Sequence, residues 1–173
     1  MQASIKSKST AARAIVAAVC GLLCGFALAA PVLGSHSCEK ASSFLYLIFS
    51  RVCHQIPERS FALSGLPLAL CHRCFGICLG LSLGSILRNP FKHRGLAARR
   101  FFLLAATVPL LLDALLPFTG LWTGTPLSRF LTGLLFGSLT SSLLVSGIAE
   151  LLDEAPWQRL LPARRLSREA FHE

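Results

Sequence analysis

Four long apolar stretches, separated by short polar or basic segments, set the pattern of this chain. They run roughly over residues 14–33, 71–87, 101–118 and 130–152. Crossing ~30 Å of hydrocarbon takes about 20 apolar residues in a helix, so each reads as a transmembrane helix, the second and third somewhat short. A fifth segment differs in kind. Phe44, Leu45, Ile48, Phe49 and Val52 recur at helical spacing behind Ser42 and Ser43. This predicts an amphipathic helix over about 42–52, lying in the membrane interface and leading into Cys53. Pro57, Gly65 and Pro67 then break the chain into a loop. The expected fold class is all-α, a polytopic membrane protein of four transmembrane helices and one interfacial helix.

Composition supports that reading. Apolar residues make up 53% of the chain, charged ones 14%, and the mean hydropathy is +0.62. The expected organisation is a basic N-terminus (1–13), one membrane domain (14–152, with an outer loop at 34–70) and a tail (153–173). The net charge of +9 falls in short segments between apolar runs, as in cytoplasmic membrane loops. No aromatic-interleaved basic patch or zinc-finger spacing accompanies it, so nucleic acid is not an expected partner; the lipid bilayer is.

Loop charge orients the helices. Arg88, Lys92, Arg94, Arg99 and Arg100 lie between the second and third helices without an acid among them, and Lys6, Lys8 and Arg13 precede the first. Both segments are expected in the cytoplasm. The uncharged turn from Thr119 to Ser128 is expected outside, and the mixed tail inside. This gives an N-in/C-in multi-pass protein of the cytoplasmic membrane. A cleaved signal peptide ending near Ala27-Leu28-Ala29 is the alternative for the first helix, and would leave the other three oriented as before.

That orientation places two Cys/His clusters on the extracytoplasmic face: Cys53-His54-Gln55 and Cys71-His72-Arg73-Cys74. Cys71 and Cys74 form a C-x-x-C at a helix N-terminus, where the helix dipole and Arg73 favour a thiolate. Cys53, His54, Cys71 and Cys74 are the expected metal ligands, a Cys₃His set of the type zinc accepts, with iron or copper also compatible. His36, His72 and Cys38 are further donors. The same sulfurs suit two other chemistries: a structural disulfide from Cys53 to Cys71 or Cys74, or a thiol–disulfide oxidoreductase passing electrons to a quinone. Cys20, Cys24 and Cys78 lie deeper and read as small buried hydrophobes.

Helical phase puts Cys71, Cys74 and Cys78 on one face of the second helix and Gly76, Gly80 and Gly84 on another, with Arg73 on the glycine side. Gly133, Gly137 and Ser141 repeat the small-residue pattern in the fourth helix. This predicts close packing within the chain, with a homo-oligomer through the same faces as the alternative. Asp113 falls in the outer half of the third helix, where a carboxylate needs a partner; Arg73 and Arg129 are at suitable depth. Asp113 and Arg129 midway along a path are also what a small-solute or ion permease would need. No Ser/His/Asp order, nucleotide loop or paired catalytic carboxylates mark an enzyme.

The strings from Cys53 to Phe61 (CHQIPERSF) and Cys71 to Gly76 (CHRCFG), followed by Pro109 with Asp113 and by Arg129 with Thr132, Gly133 and Gly137, resemble a family of small prokaryotic membrane proteins known as a domain of unknown function, family 2085. The resemblance runs from about Phe44 to Gly137. It implies a location and a residue set: Cys53, His54, Gln55, Pro57, Arg59, Ser60, Cys71, Arg73, Cys74, Gly76, Asp113 and Arg129. It implies no established activity. His72 falls at a variable position of its pattern.

Overall fold

A computed structural model describes residues 2–87, 96–120 and 124–154, with side chains described over 9–87, 101–117, 119–120 and 124–152. The basic loop at 88–95 and the tail beyond Glu154 lie outside the described residues, as do the side chains of Lys6, Lys8, Arg99 and Arg100. The helices are α1 (Gln2–Ser35), α2 (Glu39–Phe49), α3 (His72–Ile86), α4 (Leu96–Leu115) and α5 (Pro126–Glu154). Two of them, over Ser9–Ser35 and Pro126–Leu152, are long and apolar enough to cross a membrane. Phe101–Leu115 is a shorter apolar helix, and α3 has 15 residues.

The expectation of an all-α chain is corrected here. The predicted loop after Cys53 is a 3-10 turn (Pro57–Arg59) followed by an antiparallel hairpin, β1 (Ser60–Leu63) and β2 (Leu66–Cys71). Ser64 and Gly65 both have positive φ, 54° and 79°, the conformation a tight type I′ connection requires. Ala69 and Leu70 are buried against Ala27 and Ala30 of α1 and Phe49 of α2, and Leu68 beside them is buried too. The apolar run before Cys71 is therefore strand, and α3 begins one residue later than predicted, at His72.

Helix directions follow from the contacts. A Cβ on Gly76, Gly80 or Gly84 of α3 would run into α5 at Phe130, at Leu134 and at Ser138 with Ser141, in ascending order, so α3 and α5 are parallel. Gly133 and Gly137 return the contact, against Arg73 and Ile77. The small-residue faces thus meet each other within one chain, which is how two helix backbones approach closely. By contrast α1 runs the other way: the Ser82 hydroxyl donates to the Ala17 carbonyl (3.1 Å), while Gly34 packs against Leu66 and Ser42 at the far end. α4 opposes α3 as well. Arg73, at the start of α3, reaches Asp113 near the end of α4, and Gly84 and Ser85 share a cavity of about 150 Å³ with Phe102 and Leu103. One end of the bundle therefore gathers the end of α1, the hairpin, the end of α4 and the starts of α3 and α5.

Candidate metal centre

Three thiols meet at that end. The sulfurs of Cys53, Cys71 and Cys74 all lie within 4.8 Å of one another. They come from separate elements: the turn after α2, the end of β2, and the first turn of α3. The backbone N–H of Cys71 donates to the Cys53 sulfur at 3.2 Å. Cys53 is 4% exposed, yet its thiol is drawn down to about 2. The chief cause is hydrogen bonding from the Cys71 thiol, then from that of Cys74, with backbone N–H groups of Cys71 and Gln55 adding and burial opposing. The arrangement thus favours one thiolate, on Cys53, the ligating form of cysteine.

Gln55 fixes the turn that presents Cys53. Its backbone is left-handed (φ 49°), and its side-chain amide donates to the carbonyls of Tyr46 (2.8 Å) and Ala69 (3.1 Å). It ties the turn to α2 on one side and to β2 on the other. Tyr46 adds a second tie, its hydroxyl donating to the Pro67 carbonyl. Ser60 is buried, donates to the Ile56 carbonyl at 3.0 Å, and pairs in register with Cys71. Phe61 packs edge-on against the His72 ring (centroids 4.3 Å) and lies near Phe75 and Phe130.

Beside the thiols lies a charged group. Arg73 donates from Nε (2.8 Å) and Nη2 (2.6 Å) to one oxygen of Asp113 and also to the Asp113 backbone carbonyl. The Ser128 hydroxyl donates to the other oxygen at 2.8 Å. Asp113 is 6% exposed and Arg129 8%. Gly124, with φ 65°, sits against both, where an added Cβ would stand 3.3 Å from Asp113 Oδ1 and 3.2 Å from Arg129 Nε. Arg59 and Arg73 bear on Arg129 through their charge, as do Asp113 and Cys71.

Residues 53–143 match the family model described as "Predicted membrane protein (DUF2085)". The chain belongs to this family. An uncharacterised protein of Methanocaldococcus jannaschii is 35% identical over 95 residues, covering 54% of this chain and 61% of that one. An uncharacterised protein of Methanothermobacter thermautotrophicus is 30% identical over 86 residues, or 50% and 78% of the two chains. This chain thus spans about three fifths of the methanocaldococcal relative. No solved structure matches it.

The family match starts at Cys53 and takes in the whole thiol trio, with Arg73, Asp113 and Arg129. Of the ligands expected from sequence, Cys53, Cys71 and Cys74 come together and His54 does not join them: it is exposed and outside the group. A residue next to Cys53 has its side chain directed elsewhere. Arg59 is exposed, and His72 is buried against Phe61. Tyr46, Phe61 and Ser128 were not singled out for these contacts. Their signals were an isolated tyrosine on the apolar face of α2, the aromatic in the family string, and a serine one residue before Arg129.

Proposed function

We propose that this DUF2085 member is a four-span, N-in/C-in protein of the cytoplasmic membrane that binds a transition metal through Cys53, Cys71 and Cys74 at its extracytoplasmic end. The observation that carries this is three thiols from three elements within 4.8 Å, one already accepting a backbone N–H. Sulfurs ~2.3 Å from a tetrahedral zinc stand about 3.8 Å apart, so small shifts would close the trio on an ion. A disulfide would use two of the sulfurs and strand the third. Zinc suits the donors best, and iron and copper accept them too. The fourth position is left to a ligand outside the trio, with His54 able to reach it only by reorienting.

Four spans are supported by the alternating directions of α1, α3, α4 and α5. α3 covers only ~22 Å at 1.5 Å per residue. It packs between α1 and α5 rather than alone in lipid, which eases the mismatch.

The test is metal content of detergent-purified protein handled anaerobically under reduction. About one zinc per chain is expected, lost in Cys53→Ser, Cys71→Ser and Cys74→Ser, and retained with lower affinity in His54→Ala. Metal-free wild type under those conditions would overturn the reading. One observation favours a second reading, quinone-linked thiol–disulfide exchange: three sulfurs within 4.8 Å let a third thiol attack a disulfide formed by the other two. A mixed disulfide trapped in a single-cysteine variant would support it.

A further inference from the structure

Below the trio lies a second set of sulfurs that the proposed centre does not use. Cys20 and Cys24 are one helical turn apart on α1, 7% and 5% exposed. Cys78 is one turn below Cys74 on α3 and packs against the same buried cluster as Cys53, Cys71 and Cys74. The α1–α3 contacts set their register. Ser82 bonds the Ala17 carbonyl and stands 3.5 Å from where a Cβ on Gly21 would be. Because the helices are antiparallel, moving one turn up α3 from Ser82 moves one turn on along α1, which brings Cys78 to Cys24. The two thiols act on each other electrostatically, and Cys20 is coupled to the pair through its charge. All the cysteines except Cys38 therefore form a column from the mouth into the bundle.

A thiol pair facing across two helices, Cys24 buried and Cys78 half-buried, offers two soft donors to one ion. A zinc ion needs four ligands, and the surrounding positions on α1 and α3 (Gly21, Ala27, Leu81) supply no others. Soft monovalent ions differ. Cu(I) is selected by thiolates and accepts two or three of them. Binding releases one proton: the S–H bond of one cysteine breaks, a metal–sulfur bond forms, and the second sulfur coordinates as the neutral thiol. The site stays uncharged, which its apolar surroundings favour.

We propose that Cys24 and Cys78 form a second metal site within the membrane, selective for a soft monovalent ion of the Cu(I) class. Its ligands are distinct from those of the outer trio, so the two sites fail or survive separately.

The test is anaerobic titration of purified full-length protein with Cu(I) against a chromogenic copper chelator. It compares wild type, Cys24→Ser/Cys78→Ser, and the outer triple variant Cys53→Ser/Cys71→Ser/Cys74→Ser. The inner double variant should lose about one equivalent of Cu(I) while keeping its zinc; the outer triple should lose zinc and keep that equivalent. Cys24→Ala/Cys78→Ala, checked for a monodisperse elution profile, covers the case in which buried serines spoil the fold. Unchanged Cu(I) stoichiometry in either inner variant would overturn the proposal. So would a Cys24–Cys78 disulfide in the intact mass of anaerobically purified wild type.

Discussion

Asp113 shows how a single polar residue in an apolar helix can be read. Its depth demands a partner, and charge alone leaves Arg73 and Arg129 equal; the fold brings the Arg73 guanidinium onto its carboxylate, with Arg129 close beside. Removing one member of a buried pair leaves the other uncompensated. Asp113→Asn should therefore cost about 3–5 kcal/mol, read as a lower thermal midpoint in detergent, and Asp113→Leu with Arg73→Met should recover much of it. Equal stability of Asp113→Asn and wild type would show the pair to be solvated. Gln55 makes the complementary case. Sequence marked it as part of a motif but gave no role, because its role depends on two carbonyls distant in the chain. Gln55→Ala should leave the ligands in place and weaken zinc binding about 10–100-fold in a chelator competition.

Among elements, the length of the apolar runs marked α1, α3, α4 and α5, and helical spacing marked α2. Neither signal marked the hairpin. Leu66 to Cys71 is apolar throughout and continues into α3, so no change of period marks the boundary; Ser64-Gly65 between two apolar runs was the available turn signal. The glycine stripes were legible as packing faces, and the structure supplies their partner. An added Cβ at Gly80 would fall well inside contact distance of the Leu134 carbonyl oxygen, whereas at Gly25 it would meet nothing within 4 Å. Gly80→Ala should thus destabilise by about 1–3 kcal/mol through forced separation of α3 and α5. Gly25→Ala should be neutral or gain up to roughly 1 kcal/mol from helix propensity. Parallel unfolding curves for the two variants check the contrast.

At the scale of the molecule, loop charge and helix direction point the same way. The N-terminal end of α1 and the C-terminal end of α5 lie at one end of the bundle, sharing the cavity lined by Ser9, Arg13 and Ser146, with the thiol trio at the other. Under the proposed topology, reporter fusions after Glu154 should score as cytoplasmic, and fusions at Gly124 as extracytoplasmic; the reverse pattern would move the trio to the cytoplasm. The grouping of Cys53 with the C-x-x-C pair was legible in residue type and spacing, and the fold brings those three sulfurs together. The place of His54 was not legible, since it depends on how the backbone turns after Cys53. X-ray absorption at the zinc edge on the purified protein reads the ligand set itself. Coordination by the trio gives three sulfur scatterers at about 2.3 Å and a single light atom beside them. A shell of nitrogen and oxygen alone, at about 2.0–2.1 Å, would contradict it.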